Sequence, residues 1–361
     1  MVRTWPGEIL ESTILMVAQE SGADRRSSGT RGLKTVEIDG RDNIWSVAFL
    51  DDGKHIVSGG KEGRIRRWRV EDGTEVGTPM DAGSTIGSLA VSRDGKWIVN
   101  GTGAYRVTMW NAVAESHSKV NEFKGHSSYV YAVDVSPDAT RIATGSEDGT
   151  VYVWSLPAGQ RLLAPVPGQR GTNGNYVVAV KFSPDGHLIA IATWNRYSIQ
   201  IYDGQDGRRI VDVPIQVGSS FNQSIAWACD SKQLFVLSYD GNISCLDVST
   251  GTTLLKWSIH SSDNAKCIAL ASSGTFIAAS AGSSVSFWDT TTRKRIGSVV
   301  QHPADVVSMT ISVNYDLVVG GDKKITLRNL CDVLPSGYYE DVRALTSKTR
   351  HVRWLPNQKP L

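Results

Sequence analysis

The stretch YVYAVDVSPDATRIATGSEDGTVYVW, from Tyr129 to Trp154, decides the fold. Within it apolar and polar residues alternate in three short runs, the period-two pattern of half-buried strands. Ser136-Pro137-Asp138-Ala139 separates the first two runs, and Glu147-Asp148-Gly149 the second two. Asp-Gly marks a tight hairpin, because both central positions of such a turn need positive φ. A helix would instead repeat its apolar residues every three or four positions.

The same pattern recurs on both sides. IWSVAFLDDGKHIVSGGKEGRIRRW ends at Trp68, IGSLAVSRDGKWIVNGTGAYRVTMW at Trp110, and YVVAVKFSPDGHLIAIATWNRYSIQIY at Tyr202. Looser copies end at Leu246, Trp288 and Arg328. Successive ends lie roughly 43 residues apart, within the range of about 40–45 for a four-stranded propeller blade. A four-stranded sheet alone leaves two faces and two edges unsatisfied, whereas radial packing buries the faces between neighbours. The expected fold is therefore all-β: a seven-bladed β-propeller of four-stranded antiparallel blades. No helix long enough to alternate with strands is visible between residues 33 and 328, which excludes a βαβ fold.

These residues carry a resemblance to the WD40 family, whose repeats end in Trp-Asp and bear Gly-His before the first strand. Phe123-Lys124-Gly125-His126, followed by Asp148-Gly149 and Trp154, is similar to that pattern, and Trp288-Asp289 is the one literal Trp-Asp pair. The resemblance implies a brace of hydrogen-bonded side chains, which maps in the third repeat to His126, Thr144, Asp148 and Trp154. Buried polar groups of this kind must satisfy one another. The first repeat keeps Ser58, Glu62 and Trp68 without a histidine. In the last, only His302 and Asp322 remain, with Val318 and Arg328 at the other places. The second, fourth and sixth repeats have Ala104, Arg196 and Gly282 in place of the acid, so packing alone is expected to hold those blades.

The reading divides the chain into an N-terminal extension (1–32), the propeller (33–328) and a C-terminal tail (329–361). Each repeat as written begins with the outer strand of the preceding blade. Leu33 to Ile38 is thus expected to complete the last blade beside Ile325 to Arg328, with Ile14 to Ala18 and Val352 to Leu355 as competitors. The fourth repeat is longest, and its excess, Pro165 to Asn175, reads as a surface loop without a strand.

Lys and Arg number 38 against 36 Asp and Glu, so no global field favours nucleic acid or a membrane surface. Ile14 to Ala18 is too short to span a bilayer, and Glu8 and Glu11 stand where a signal peptide carries basic residues. A cytoplasmic or nuclear location is the matching expectation. Cys229, Cys245, Cys267 and Cys331 form no C-x-x-C pair and read as buried apolar residues in a reducing compartment. The seven histidines fall in separate segments without metal-ligand spacing. SGGKEG (Ser58–Gly63) lacks the Lys-Ser/Thr of a phosphate cradle. No enzyme, cofactor, metal site or small-molecule substrate is expected.

What the resemblance implies is a non-catalytic scaffold that binds a partner protein or peptide on the top face, beside the channel mouth. The matching positions are Asn43, Trp45 and Lys61 in the first repeat and Tyr129, Tyr131 and Glu147 in the third. Tyr176 and Asn195 follow in the fourth, and Phe221, Gln223 and Tyr239 in the fifth. The second and last repeats carry small or aliphatic residues there (Thr85, Gly87, Gly103; Val307, Gly321). Such aromatic enrichment is typical of interfaces. The alternatives are packing of these rings into the channel, a nucleic-acid- or phosphate-associated subunit using the basic tail (Lys348, Arg350, Arg353, Lys359), and a propeller enzyme.

Overall fold

Runs of about six alternating residues, punctuated by Gly, Asp and Asn turns, become antiparallel hairpins throughout the chain. The computed structural model describes residues 35–113, 118–163, 166–167, 176–194, 198–215, 217, 224–259 and 265–339. Strand β1 (Thr35–Asp39) comes first, and the remaining strands follow in sets. Blade 1 holds β2 (Ile44–Phe49), β3 (His55–Gly60), β4 (Arg64–Arg69) and β5 (Met80–Asp81). Blade 2 holds β6 (Ile86–Val91), β7 (Trp97–Thr102), β8 (Arg106–Asn111) and β9 (Lys119–Lys124). Blade 3 holds β10 (Val130–Val135), β11 (Arg141–Ser146), β12 (Thr150–Ser155) and β13 (Val166–Pro167). Blade 4 holds β14 (Val177–Phe182), β15 (Leu188–Thr193), β16 (Ser198–Asp203) and β17 (Arg209–Pro214). Blade 5 holds β18 (Ile225–Trp227), β19 (Gln233–Leu237), β20 (Asn242–Asp247) and β21 (Thr253–Ser258). Blade 6 holds β22 (Ala265–Leu270), β23 (Phe276–Ala281), β24 (Ser284–Asp289) and β25 (Arg295–Gln301). Blade 7 holds β26 (Ser308–Ile311), β27 (Asp316–Gly321) and β28 (Lys324–Asn329), completed by β1.

Seven four-stranded antiparallel sheets result, the expected fold. The ring closes by chain exchange, β1 pairing antiparallel with β28 from Thr35↔Arg328 to Asp39↔Lys324. This removes the edge that an open ring would expose. The competing segments, Ile14 to Ala18 and Val352 to Leu355, lie outside the described residues, as do the extension (1–32), the first two residues of the closing segment, Leu33 and Lys34, and residues 340–361 of the tail.

Between blades the core is aliphatic, with clusters such as Val177, Val180 and Ile191 of blade 4 against Val151 and Val153 of blade 3. Side chains on the inner strands also stitch blades 7, 1, 2, 3 and 4 together in sequence. Ser308 Oγ accepts the Val47 N–H at 3.1 Å, Ser46 Oγ the Leu89 N–H at 3.0 Å, and Ser88 Oγ the Val133 N–H at 3.3 Å. Asp134 Oδ2 continues the series with the Phe182 N–H at 2.8 Å. On the outside, the hairpin between third and fourth strands seats on the preceding blade. A Cβ on Gly73 would lie 2.8 Å from Val36 Cγ1, and one on Gly251 2.7 Å from Val211 Cγ1, so only glycine allows the approach.

Blade 7 lacks that hairpin because its fourth strand comes from the other end of the chain. The segment after β28 fills the vacancy. Leu330, Val333 and Leu334 are buried with Phe276, Phe287 and Leu317, and Ser298 N–H donates to the Val333 carbonyl of this segment at 3.3 Å. Tyr338 OH donates to Asp289 Oδ2 at 2.6 Å, which ties the segment to blade 6. Residues 330–339, which the sequence pattern assigns to the tail, are therefore packed onto the blades.

Three expectations need correction. Val166 and Pro167 form a strand opposite Val151 and Thr150, so the long fourth-repeat insertion begins with the outer strand of blade 3. The edge of β12 needs a partner for its backbone groups, and a proline at a sheet edge can serve. Residues 168–175 lie outside the described set. Of the cysteines, Cys245 and Cys267 are buried, but Cys229 is exposed and Cys331 half-buried. Cys229 occupies the turn after β18, where Sγ donates to the Ser272 carbonyl at 3.2 Å.

The third correction concerns the blades without an acid, which packing alone does not hold. Trp110 Nε1 donates to Asn100 Oδ1 at 2.7 Å in blade 2, and Trp288 Nε1 to Ser286 Oγ at 2.9 Å in blade 6. In blade 4, Tyr202 OH donates to Gln200 Oε1 at 2.8 Å. A buried indole or phenol needs a partner, and other residues supply it where the brace is missing.

Candidate functional site

The face of the ring where the inner strands begin is built by a repeated irregularity. The register shifts between Ile44 and Ser46, Ile86 and Ser88, Val130 and Ala132, and Val177 and Ala179. The extra residues are Trp45, Gly87, Tyr131 and Val178. Such bulges re-aim a side chain and occur beside functional sites. Blades 1 and 3 place an aromatic ring at that position.

Four tyrosines meet at this mouth. Tyr129 and Tyr131 stack with centroids 5.9 Å apart and planes at 24°. Tyr105 meets Tyr129 edge-on at 6.0 Å, and Tyr131 meets Tyr176 edge-on at 6.4 Å. The row thus crosses blades 2, 3 and 4. Tyr105 and Tyr129 are 43% and 41% exposed, so the rings are not all channel packing. Sequence reasoning missed Tyr105. It sits at φ +66° in the turn between β7 and β8, a conformation that gives no sequence signal for an aromatic. The small residues of blade 2 are what admit the row: a Cβ on Gly103 would lie 2.6 Å from Tyr129 Cε1.

Glu147 lies beside the rings. Its carboxylate accepts the Ser128 hydroxyl at 2.6 Å, and its N–H donates to the Tyr129 carbonyl at 2.9 Å. Burial and then the Glu147 charge push the Tyr131 hydroxyl up to about 12. The remaining expected positions are more scattered. Asn43 and Trp45 are half-buried and Lys61 exposed on blade 1, and Tyr239 is 37% exposed on blade 5. Among the described residues neither Trp45 nor Tyr239 makes a ring contact with the row. Asn195, Phe221 and Gln223 lie outside the described residues.

Behind the row, a hydrogen-bonded chain anchors the loop that carries Tyr129. Trp154 Nε1 donates to Thr144 Oγ1 at 3.0 Å, and Thr144 Oγ1 lies 2.9 Å from His126 Nε2. His126 Nδ1 lies 3.1 Å from Asp148 Oδ2, which also accepts the Ser127 N–H at 2.8 Å. Burial alone would raise the Asp148 carboxyl. Hydrogen bonds from His126, Thr150 and Ser127 outweigh it and hold the group well below the usual carboxylate range.

The corresponding pair of the last repeat does not form. His302 Nδ1 lies 2.8 Å from Thr326 Oγ1 and Nε2 3.4 Å from the Gly321 carbonyl, so Asp322 is not its partner. Asp322 stands at φ +47° in the turn, and its carbonyl accepts the Ile44 N–H at 2.5 Å. In blade 1, Trp68 Nε1 donates to Ser58 Oγ at 2.8 Å, while Glu62 pairs with Arg66.

Further in, the channel holds a cavity of about 300 Å³. Inner-strand residues such as Val47, Leu89, Ile268 and Met309 line it, with more polar than apolar surface facing the space, and the Asp134–Lys181 ion pair at 3.2 Å belongs to the lining. Among the described residues no group of three or more His, Cys, Asp and Glu could hold a metal ion. No helix there is long and apolar enough to cross a membrane.

Comparison with known proteins bears on the repeats. Residues 33–69 and 117–155 match the family described as WD domain, G-beta repeat. A segment of 131 residues is 31% identical to small ribosomal subunit protein RACK1z of Oryza sativa subsp. japonica, covering 35% of this chain and 37% of that protein. Small ribosomal subunit protein RACK1 of Caenorhabditis elegans is 32% identical over 149 residues, 39% of this chain and 43% of that protein. The chain spans about two fifths of the length of the curated relatives it matches.

Proposed function

We propose that this chain, a seven-bladed propeller carrying WD repeats, is a protein-interaction scaffold that receives its partner at the channel mouth where the inner strands begin. The row Tyr105–Tyr129–Tyr131–Tyr176 carries this reading. Aromatic rings that are part exposed, contiguous and backed by a rigid frame supply large contact area at low entropic cost. The WD-repeat match and the relatives support the coarser statement of a scaffold, and the choice of face rests on the row. A cytoplasmic or nuclear location and a non-catalytic role go with this reading.

The test is affinity purification of the full chain beside the variants Tyr129→Ala and Tyr131→Ala, with Val313→Ser on the opposite face as a control. Val313 is exposed in the turn between β26 and β27. Partners lost from the tyrosine variants but kept by the control support the mouth. Equal recovery from all of them sinks it.

A second reading is favoured by the names of the relatives, both small ribosomal subunit proteins. Here the chain joins a ribonucleoprotein particle, and Lys348, Arg350, Arg353 and Lys359 contact phosphates. Co-sedimentation with small ribosomal subunits that weakens steeply with salt, and with serine at those four positions, would distinguish it.

A further inference from the structure

We propose that the tyrosine row and Glu147 together form a subsite for an arginine side chain presented by the partner protein. This rests on the mouth being the docking face and goes further by naming what enters it. Tyr129 and Tyr131 offer near-parallel rings, flanked edge-on by Tyr105 and Tyr176. The face of a tyrosine ring carries negative potential and attracts a cation.

The carboxylate decides the sign of the ligand. The Ser128 hydroxyl donates to Glu147 at 2.6 Å, and the Tyr131 hydroxyl is hydrogen-bonded to the same carboxylate, so the charge is held in place beside the rings. Two other acids on this face have cations: Asp305 faces Lys266 at 3.3 Å, and Glu62 faces Arg66 at 2.8 Å. Among the described residues none lies within ion-pair distance of Glu147. A purely apolar partner would cover that half-buried charge with only neutral hydroxyls beside it, at a desolvation cost that grows with burial. A phosphate would meet repulsion from it. Guanidinium suits both halves, because its plane stacks on a ring while its edge donates to a carboxylate in a fork.

The probe is a short acetylated and amidated peptide with one arginine, compared with the same peptide carrying uncharged, isosteric citrulline. Binding to the full chain is read by calorimetry and tyrosine-ring NMR shifts at low salt. The arginine peptide should bind, and both citrulline and Glu147→Gln should weaken it by about tenfold, in line with a desolvated cation–π contact plus an ion pair. No binding at millimolar peptide, or equal binding of the two peptides, overturns the proposal. Binding that appears only when Lys348, Arg350 and Arg353 are replaced by serine also overturns it, since the chain's own tail would be the occupant. If Glu147→Gln has no effect while Tyr129→Ala still loses partners in the affinity purification, the arginine subsite falls and the docking face stands. If Tyr129→Ala loses nothing, both fall.

Discussion

Ser46 Oγ accepts the backbone N–H of Leu89, 43 residues further on, at 3.0 Å. The separation is about one repeat, so the bond runs from the inner strand of blade 1 to that of blade 2. Ser46 is buried, so the Leu89 N–H loses a buried acceptor if the hydroxyl is removed. Replacing Ser46 with Ala should therefore cost about 1–3 kcal/mol, the penalty for a stranded buried donor. Chemical denaturation gives the value. A change within a few tenths of wild type would show that the stitch carries no stability.

Asp148→Ala should cost a similar amount, about 1–3 kcal/mol, because it leaves His126 and the Ser127 N–H without their acceptor. Ala104, at the matching place of blade 2, is exposed and has no brace to lose. Ala104→Gly should shift the melting temperature much less. Equal shifts for the two variants would count against the brace.

The blades were legible in the sequence because each must bury two faces, which forces alternation, hairpin turns and a constant period. The closing strand was legible for the same reason: an unpaired β28 would leave an edge. Substitutions that preserve function but change identity were not. Asn100 and Ser286 accept indole N–H groups where the acid-based pattern predicts nothing. His302 was matched to Asp322 by spacing, yet Asp322 turns into positive φ and Thr326, on the adjacent strand, takes the imidazole. Tyr129, Tyr131 and Tyr176 were placed at the mouth by their offset from each inner strand. Tyr105 was invisible because it comes from a neighbouring blade's hairpin, and only packing over Gly103 brings it to the row.

His302 makes the stability of blade 7 sensitive to pH. Burial lowers its pKa, outweighing the Gly321 carbonyl and the Glu37 charge that favour the cation. The Nε2–H donates to that carbonyl and Nδ1 accepts from Thr326, so the neutral ring is the satisfied form. As pH falls below about 6.5, the unfolded chain takes up the proton first. Stability is thus full above that value and declines toward the lower folded pKa. Thermal melts between pH 7.5 and 5.5 should show a smaller decline for His302→Gln than for wild type. Parallel profiles would exclude a contribution from this group.

The segment after β28 should behave as part of the propeller. Leu330 is fully buried among Phe276, Tyr315 and Leu317, and Leu330→Ala should cost about 2–5 kcal/mol, the range for a truncated core leucine. Tyr338→Phe removes one hydrogen bond to Asp289 and should cost less, at most about 1.5 kcal/mol. Denaturation midpoints separate the two. A leucine variant as stable as wild type would show that the segment is merely laid against the blades.

Gly103 offers a way to disturb the tyrosine row without removing a ring. Its position between Thr85 and Tyr129 leaves no room for a methyl group, which would lie 2.6 Å from Tyr129 Cε1. Tyr129 is 41% exposed and can swing outward, and the Thr85 hydroxyl on the other side can rotate, so Gly103→Ala should relieve the clash by moving these two side chains rather than by unfolding blade 2. The stack on Tyr131 and the edge contact with Tyr105 would then both be lost. The expected outcome is a melting temperature close to wild type, a changed tyrosine signal in near-ultraviolet circular dichroism, and partner binding weakened by about tenfold, as for loss of one interface anchor. Tyr105→Ala should weaken binding less, because it keeps the stacked pair. Should Gly103→Ala alter the dichroism yet leave partner recovery intact, the arrangement of the rings would be irrelevant to binding, and exposure of single residues such as Trp45 or Tyr239 would have to explain it.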